Sequence, residues 1–333
     1  MKRLFCFLPI LFILCSCQRA DRQKHTSAFF GFDTVIQITG YTESLSEFEE
    51  ASGRAKALLE ELNVLFDIYN DYEGINNLKT VNDNAGIKPV KVDGRVIELI
   101  EKGIEAYDLT NGAVNIALGP VLRVWHECRE TETVPDSALL ESLRDLCDID
   151  GVVVDSDAGT VFLRDAGMCL DVGALAKGYA AGLAALELPD GCFIDAGGNV
   201  VFKGQPADGR KSWTVGIQHP DNADELITTL NVKFGAAVTS GDYQRYFIDK
   251  DGVRYAHIID PETLFPANRY RSCTVYGEDS LTCDILSTAL FILPAAEGKA
   301  LAESMGYEAV WVNSEFGVPK EVIAYAGLSI ASR

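Results

Sequence analysis

Apolar residues recur at intervals of three and four at Leu45, Phe48, Ala55, Leu58, Leu59, Leu62 and Leu65, the spacing of one buried helix face. The same periodicity predicts a second helix over 95–107, with Asp93 placed to cap it and Thr110-Asn111-Gly112 to stop it. Between them, residues 67–83 are polar and read as a loop carrying Tyr69, Asn70, Asn76 and Asn77. Residues 32–40 alternate apolar and polar as a half-buried strand does, and Asp155-Ser156-Asp157-Ala158-Gly159 joins two short apolar runs as a hairpin loop.

In the second half a small-residue helix is expected over 173–186, followed by strands over 193–203, 212–217, 228–234 and 237–240 with glycine-rich breaks. Asp249-Lys250-Asp251-Gly252 closes a hairpin between 243–248 and 254–259. A strand over 271–276, a helix over 280–293 and short strands over 310–312 and 322–326 complete the pattern. No repeat or linker divides the chain. The reading is α+β: a single two-lobed domain with a mixed, mostly antiparallel sheet and packed helices.

The chain has 333 residues, 47% of them hydrophobic, enough for one sizeable core. Its net charge is −20, and loss of Lys2 and Arg3 with the leader described next would leave −22. So acidic a surface repels nucleic-acid phosphates and anionic lipid headgroups, which argues against both as partners. An anionic ligand therefore needs a local device such as a metal ion, backbone amides or a few placed cations.

Lys2 and Arg3 precede an apolar run over 4–14 that is too short to span a bilayer. The run ends in Leu14-Cys15-Ser16-Cys17, which resembles a bacterial lipobox. Residues 1–16 are thus expected to be a lipoprotein signal peptide, Cys17 the lipidated first residue, 17–28 a tether and 29–333 the functional domain. A plain secretory leader with incidental cysteines is the alternative. The lipobox reading places the protein on the outer face of a bacterial cytoplasmic membrane, held by its lipid alone. The remaining Cys128, Cys147, Cys169, Cys192, Cys273 and Cys283 form no CxxC and read as buried free thiols. With only His25, His126, His219 and His257 available, no Cys/His zinc spacing exists.

Five segments carry candidate chemistry. Asp284 and Thr288 lie four apart on a predicted helix, so their hard oxygens share one face and suit Mg²⁺; alone, they read equally as a cap and a back-bonded threonine. Asp171-Val172-Gly173-Ala174-Leu175-Ala176-Lys177 keeps a helix start open to an anion, with Lys177 in reach; it is neither a Walker loop nor a dinucleotide fingerprint. Asp195-Ala196-Gly197-Gly198-Asn199 allows close backbone approach or merely a tight bend. Asn111 to Pro120 is a loop of little bulk. His257, before Asp260-Pro261 and across a hairpin from Asp242 and Arg245, is a candidate general base or an ordinary structural histidine.

Together, in order and spacing, these segments resemble the ApbE-type flavin transferases (FAD:protein FMN transferases) over about residues 32–293. Ile68-Tyr69-Asn70 stands in that family's "STYDPDSE" loop, Asn111 to Pro120 in "DGAFDPTVGP", and Asp171 to Tyr179 in "DLGGIAKGY". Asp195 to Asn199 matches "NAGGDI", Thr239 to Phe247 "TSGDYERYF", His257 to Pro261 "HIIDPRTG" and Cys283 to Ala289 "ADALATA". Phe32 replaces a methionine, Asn115 an aspartate and Leu264 a glycine, while Asp195 and Asn199 exchange the usual Asn and Asp.

The resemblance implies an ApbE/T-fold-like domain. It also implies Mg²⁺ on Asp284, Thr288 and the Ala174 carbonyl, and FAD against Phe32, Tyr69, Ala113, Val114, Asn115, Asp171, Lys177, His257, Ile258 and Ile259. The implied reaction moves FMN from FAD to a threonine hydroxyl of an exported or membrane acceptor protein and releases AMP. His257 is the candidate catalytic base, and Asp242 is the candidate residue that orients it. An FAD pyrophosphatase, a flavin-storing lipoprotein and a solute-binding lipoprotein are the competing readings.

Overall fold

Alternation along the strands sorts the core into two faces. The computed structural model describes residues 22–315 and 318–325. β1 (Gln23–Gly31) and β2 (Thr34–Thr42) form a hairpin, and α1 (Leu45–Leu65) follows, capped by Ser44. Its buried stripe includes Phe48, Ala55, Leu59, Leu62 and Leu65, as the spacing requires, each large side chain contributing about 1.5–3 kcal/mol by burial. α2 (Leu78–Asp83) starts at a capping box on Asn77, β3 (Val90–Lys91) is short, and α3 (Gly94–Leu109) is capped by Asp93. α4 (Gly119–Glu130), α5 (Ser137–Ser142), and the pair β4 (Val152–Asp155) and β5 (Thr160–Leu163) complete the first half.

The second half begins with α6 (Ala176–Ala185), the hairpin β6 (Cys192–Ala196) and β7 (Asn199–Lys203), and the arm β8 (Trp213–His219) and β9 (Asn222–Val232). β10 (Gly235–Gly241) leads to the small hairpin β11 (Tyr246–Ile248) and β12 (Arg254–Ala256). β13 (Tyr270–Gly277), α7 (Ser280–Ile292), α8 (Ala295–Met305), β14 (Glu308–Glu315) and β15 (Val318–Tyr325) close the domain.

The main sheet runs β1-β2-β6-β7-β10-β13-β14-β15, and every strand pairing among the described residues is antiparallel. Residues of one parity, such as Ala236, Val238, Ala309 and Trp311, face the helices in the largest core cluster. Their neighbours Ala237, Val310 and Val312 face the other way, against Trp213, Ile217, Leu230 and Val232 of the β8–β9 arm. A third cluster gathers Trp125 of α4 with Phe247, Ile259 and Leu264, so it ties the β11–β12 hairpin to α4.

The α+β expectation holds, with corrections. Gln23–Gly31 pairs along its whole length with β2, so the tether expected over 17–28 ends before Gln23. The polar run 67–83 ends in α2, because Asn77 and Thr80 satisfy each other's backbone N–H groups. The expected strand 193–203 is a hairpin folded at Gly197 and Gly198, whose φ values of 63° and 95° only glycine adopts cheaply. α6 starts at Ala176, later than expected, for a reason given below. The leader, Cys17 and Ala326 lie outside the described residues. All six cysteines of the domain are free, and all but Cys128 are buried, as read. No helix among the described residues is long and apolar enough to cross a membrane.

Candidate active site

A cleft of about 1750 Å³ runs from the tip of the β1–β2 hairpin, across the start of α6, to the β11–β12 hairpin. Its lining includes Phe32, Tyr69, Ala113, Val114, Asn115, Asp171, Ala174, Lys177, His257, Ile258, Ile259, Asp284 and Thr288. Of the residues singled out from sequence for FAD, metal and catalysis, Asp242 alone does not line it.

The centre of the cleft is the meeting of α6 and α7. α6 has no side-chain cap of its own: its N-cap position is Leu175. Asp284 of α7 supplies the acceptor instead, taking the Gly178 N–H at 2.8 Å. Only glycine permits this approach, since a Cβ at 178 would sit 2.5 Å from the Ser280 carbonyl oxygen and 2.6 Å from Asp284 Cβ. Asp171 accepts the Gly173 N–H at 2.8 Å, which holds 171–175 as a turn and delays the helix. Burial pushes the Asp284 carboxyl up, opposed by Lys177 and the Gly178 N–H. Burial does the same to Asp171. Thr288 stands one turn beyond Asp284, with Ser240 Oγ of β10 3.4 Å from its hydroxyl and 2.9 Å from Ser287 Oγ. Asn199 Nδ2 is buried beside the Asp284 carboxyl, which it helps to hold down, without reaching good hydrogen-bond geometry to it.

His257 follows β12, and its backbone N–H and Nδ1 both face the Arg245 carbonyl, at 3.0 and 3.2 Å. Burial, then the charges of Arg245, Lys177 and Arg129, push its pKa down to about 3. The imidazole is therefore neutral at physiological pH. Asp242 does not orient it. Asp242 lies behind the cleft wall, paired to Arg271 Nε at 2.7 Å, because that guanidinium is buried and requires an anion.

At the rim, Phe32 and Asp33 form a two-residue turn with φ of 50° and 56°, strained for side chains of this size. The strain is offset locally: Asn63 Oδ1 takes the Phe32 N–H at 2.6 Å, and Arg245 Nη2 binds both the Asp33 carbonyl at 2.9 Å and its carboxylate at 2.8 Å. Asp67 gathers the Tyr69 and Asn70 N–H groups at 2.6 and 3.1 Å and so presents Tyr69, 62% exposed, beside the His126 ring. Asn115 is committed to the fold, donating to the Cys147 carbonyl at 2.8 Å and accepting from the Ala117 N–H.

Sequence reading missed one wall. Arg123, His126 and Arg129 of α4 line the cleft, with Arg129 Nη2 2.8 Å from His126 Nδ1. Their spacing of three was the available signal, one cationic face in an acidic chain. Among the described residues no group of three or more His, Cys, Asp and Glu side chains is arranged to hold a metal ion. Any cation here must rely on a mixed oxygen set.

A family model for the ApbE family matches residues 32–311. This chain belongs to the ApbE family. It is similar to the FAD:protein FMN transferase of Klebsiella pneumoniae (strain 342), with 34% identity over 77% of this chain and 82% of that protein. The FAD:protein FMN transferase of Treponema pallidum (strain Nichols) is 32% identical over 95% of this chain and 92% of its own length. Among solved structures, the ApbE protein of Thermotoga maritima superposes with a TM-score of 0.80 at 28% identity, covering 87% of this chain and 94% of that one. The ApbE fold and the α+β architecture read from the sequence therefore agree.

Proposed function

We propose that this protein is a Mg²⁺-dependent FAD:protein FMN transferase, moving FMN from FAD to a threonine hydroxyl of an acceptor protein. The observation that carries the reading is the convergence of Asp284, Thr288, Lys177 and His257 on one cleft in an otherwise acidic chain. The hydroxyl oxygen forms a bond to the FMN phosphorus, the bond from that phosphorus to the bridging oxygen breaks, and AMP leaves with that oxygen. His257, neutral and half-buried, takes the hydroxyl proton. Lys177, on the cleft wall at the start of α6, is the cation placed to meet the negative charge that develops on the leaving diphosphate side.

The residues present fit Mg²⁺. Asp284 is a buried carboxylate with a raised pKa, which a cation relieves, and Thr288 and the Ala174 carbonyl complete a hard-oxygen set of the kind this ion takes alongside phosphate. When bound, the ion neutralises the diphosphate and eases departure of AMP. Asn199 Nδ2, buried beside Asp284, is a further donor within reach of a phosphate or ribose oxygen. Phe32, Tyr69, Ala113, Val114, Ile258 and Ile259 offer the apolar surface a flavin ring requires.

The run 2–17 supports lipidation at Cys17 and residence on the outer face of the cytoplasmic membrane, where exported and membrane acceptors are in reach. The deciding experiment is incubation with FAD and Mg²⁺, with and without a threonine-bearing acceptor protein, read by mass spectrometry. An acceptor heavier by FMN less one water supports the reading. Free FMN and AMP with no modified acceptor would make the protein a pyrophosphatase, and FAD bound without turnover would make it a storage lipoprotein.

A further inference from the structure

Behind the cleft lies a charge cluster that the chemistry above does not use. Arg271 of β13 is 2% exposed and is forked between two carboxylates from distant parts of the chain. Its Nε donates to Asp242 at 2.7 Å, and its Nη1 and Nη2 donate to Asp221 at 3.0 and 2.7 Å. Arg254 of β12 stands between the same two carboxylates, 3.7 Å from Asp242 and 3.9 Å from Asp221, with its guanidinium 4.1 Å above the Tyr246 ring. Asp221 belongs to the turn of the β8–β9 arm, which pairs with no strand of the main sheet.

Each partner of this cluster is one short step from the cleft. Asp242 sits between Ser240, which touches Thr288, and Arg245, whose carbonyl receives His257 and whose guanidinium fixes Asp33. Arg254 is three residues before His257 on the same hairpin. Only the arginine is fully buried, the Asp242 side chain being 14% and the Asp221 side chain 39% exposed, and fixing a buried cation with carboxylates merely to hold a fold together is inefficient, since apolar residues of like volume do as well or better. A planar fork with two anions instead fixes direction, which apolar packing does not.

We infer that Asp221, acting through Arg271 and Asp242, is a positioning residue for FMN transfer, fixing the segment from Ser240 to Arg245 and the hairpin that carries His257. The inference rests on the transferase reading but not on His257 being the base, because the segment that Asp242 anchors also carries Arg245, which fixes Asp33 at the rim. Without the Asp221 carboxylate, Arg271 loses the two-pronged side of its fork and the loop behind the cleft gains freedom. Small misplacements of reacting groups lower turnover far more than they weaken substrate binding.

The test compares Asp221→Asn, Asp221→Glu and the parent as full-length proteins, using FAD, Mg²⁺ and an acceptor protein that the parent demonstrably flavinylates. Asp221→Asn is expected to lower kcat about tenfold while FAD affinity stays within about twofold, and Asp221→Glu to recover most of the loss. Unchanged kcat in Asp221→Asn overturns the inference, as does loss of FAD affinity in step with kcat, or equal damage in the Asn and Glu variants. Should Asp221→Asn fail to fold, Arg271→Lys, which keeps the buried charge but not the fork, is judged by the same split between kcat and FAD affinity. His257→Ala run alongside separates the two ideas: full activity there removes the base, while Asp221 stands or falls by its own variants.

Discussion

Gly178 and Asp284, 106 residues apart, share a hydrogen bond of 2.8 Å that joins the start of one helix to the face of another. The carboxylate that faces the cleft is thus also the cap of α6. Its two duties separate by substitution.

Asp284→Asn keeps an acceptor for the Gly178 N–H but removes the buried charge. Metal-free protein should melt no lower than the parent, and its stabilisation by added Mg²⁺ should vanish along with turnover. Asp284→Ala loses the cap as well and should be less stable by about 1 kcal/mol. Thermal unfolding with Mg²⁺ or with a chelator reads both effects, and an equal Mg²⁺ response in parent and Asp284→Asn would remove the metal assignment.

Gly178→Ala should force α6 and α7 apart. The added Cβ meets the Ser280 carbonyl at 2.5 Å, backbone that cannot yield cheaply. A loss of about 1–3 kcal/mol is expected from overpacking, with turnover falling further because Asp284 moves with α7. Wild-type stability and rate in this variant would show that the helix contact is looser than described.

The pH dependence follows from His257. Its pKa is pushed from 6.5 down to about 3, first by burial and then by Arg245, Lys177 and Arg129, so the neutral base persists as pH falls through 6.5 and is lost only well below it. The kcat/KM profile of the parent should therefore show no acid limb near 6.5. Arg245→Gln removes the charge that opposes protonation most and should move the limb upward. An inflection near 6.5 in the parent would mean that the imidazole is less buried than described, and a profile unmoved in both Arg245→Gln and His257→Ala would retire His257 as the base.

Leu264 occupies a left-handed position, φ 60°, where a glycine would be unstrained. It is 2% exposed against Trp125, whose indole N–H donates to the Leu264 carbonyl at 2.8 Å. Replacement by glycine relieves about 1–2 kcal/mol of backbone strain but forfeits about 2–5 kcal/mol of burial. Burial wins, and Leu264→Gly should be net destabilising by about 1–3 kcal/mol in denaturant unfolding. A more stable variant would mean the turn, not the core, governs this position.

What could be read in the sequence was local. α1, α3 with its Asp93 cap and the Asp284–Thr288 spacing all depend on contacts within a few turns of helix, and they stand where the periodicity put them. The cap of α6 was not legible, since it arrives from α7. The start of β1 read as a tether because Gln23 to Ser27 are polar without a break, which the outermost strand of a sheet, exposed or half-exposed along its length, also tolerates. Asp242 was assigned to His257 across a hairpin, but the buried Arg271, 29 residues on, claims it. Proximity in sequence was outweighed by the need of a buried cation for an anion.

The early start of β1 has a geometric consequence. On the lipid-anchor reading, at most six residues, Cys17 to Arg22, separate the bilayer surface from a rigid ladder. Fully extended they reach about 20 Å, and nine residues of strand add about 30 Å. The rim at Gly31, one end of the cleft, then stands no more than about 50 Å above the lipid, which keeps the mouth of the cleft near the membrane surface.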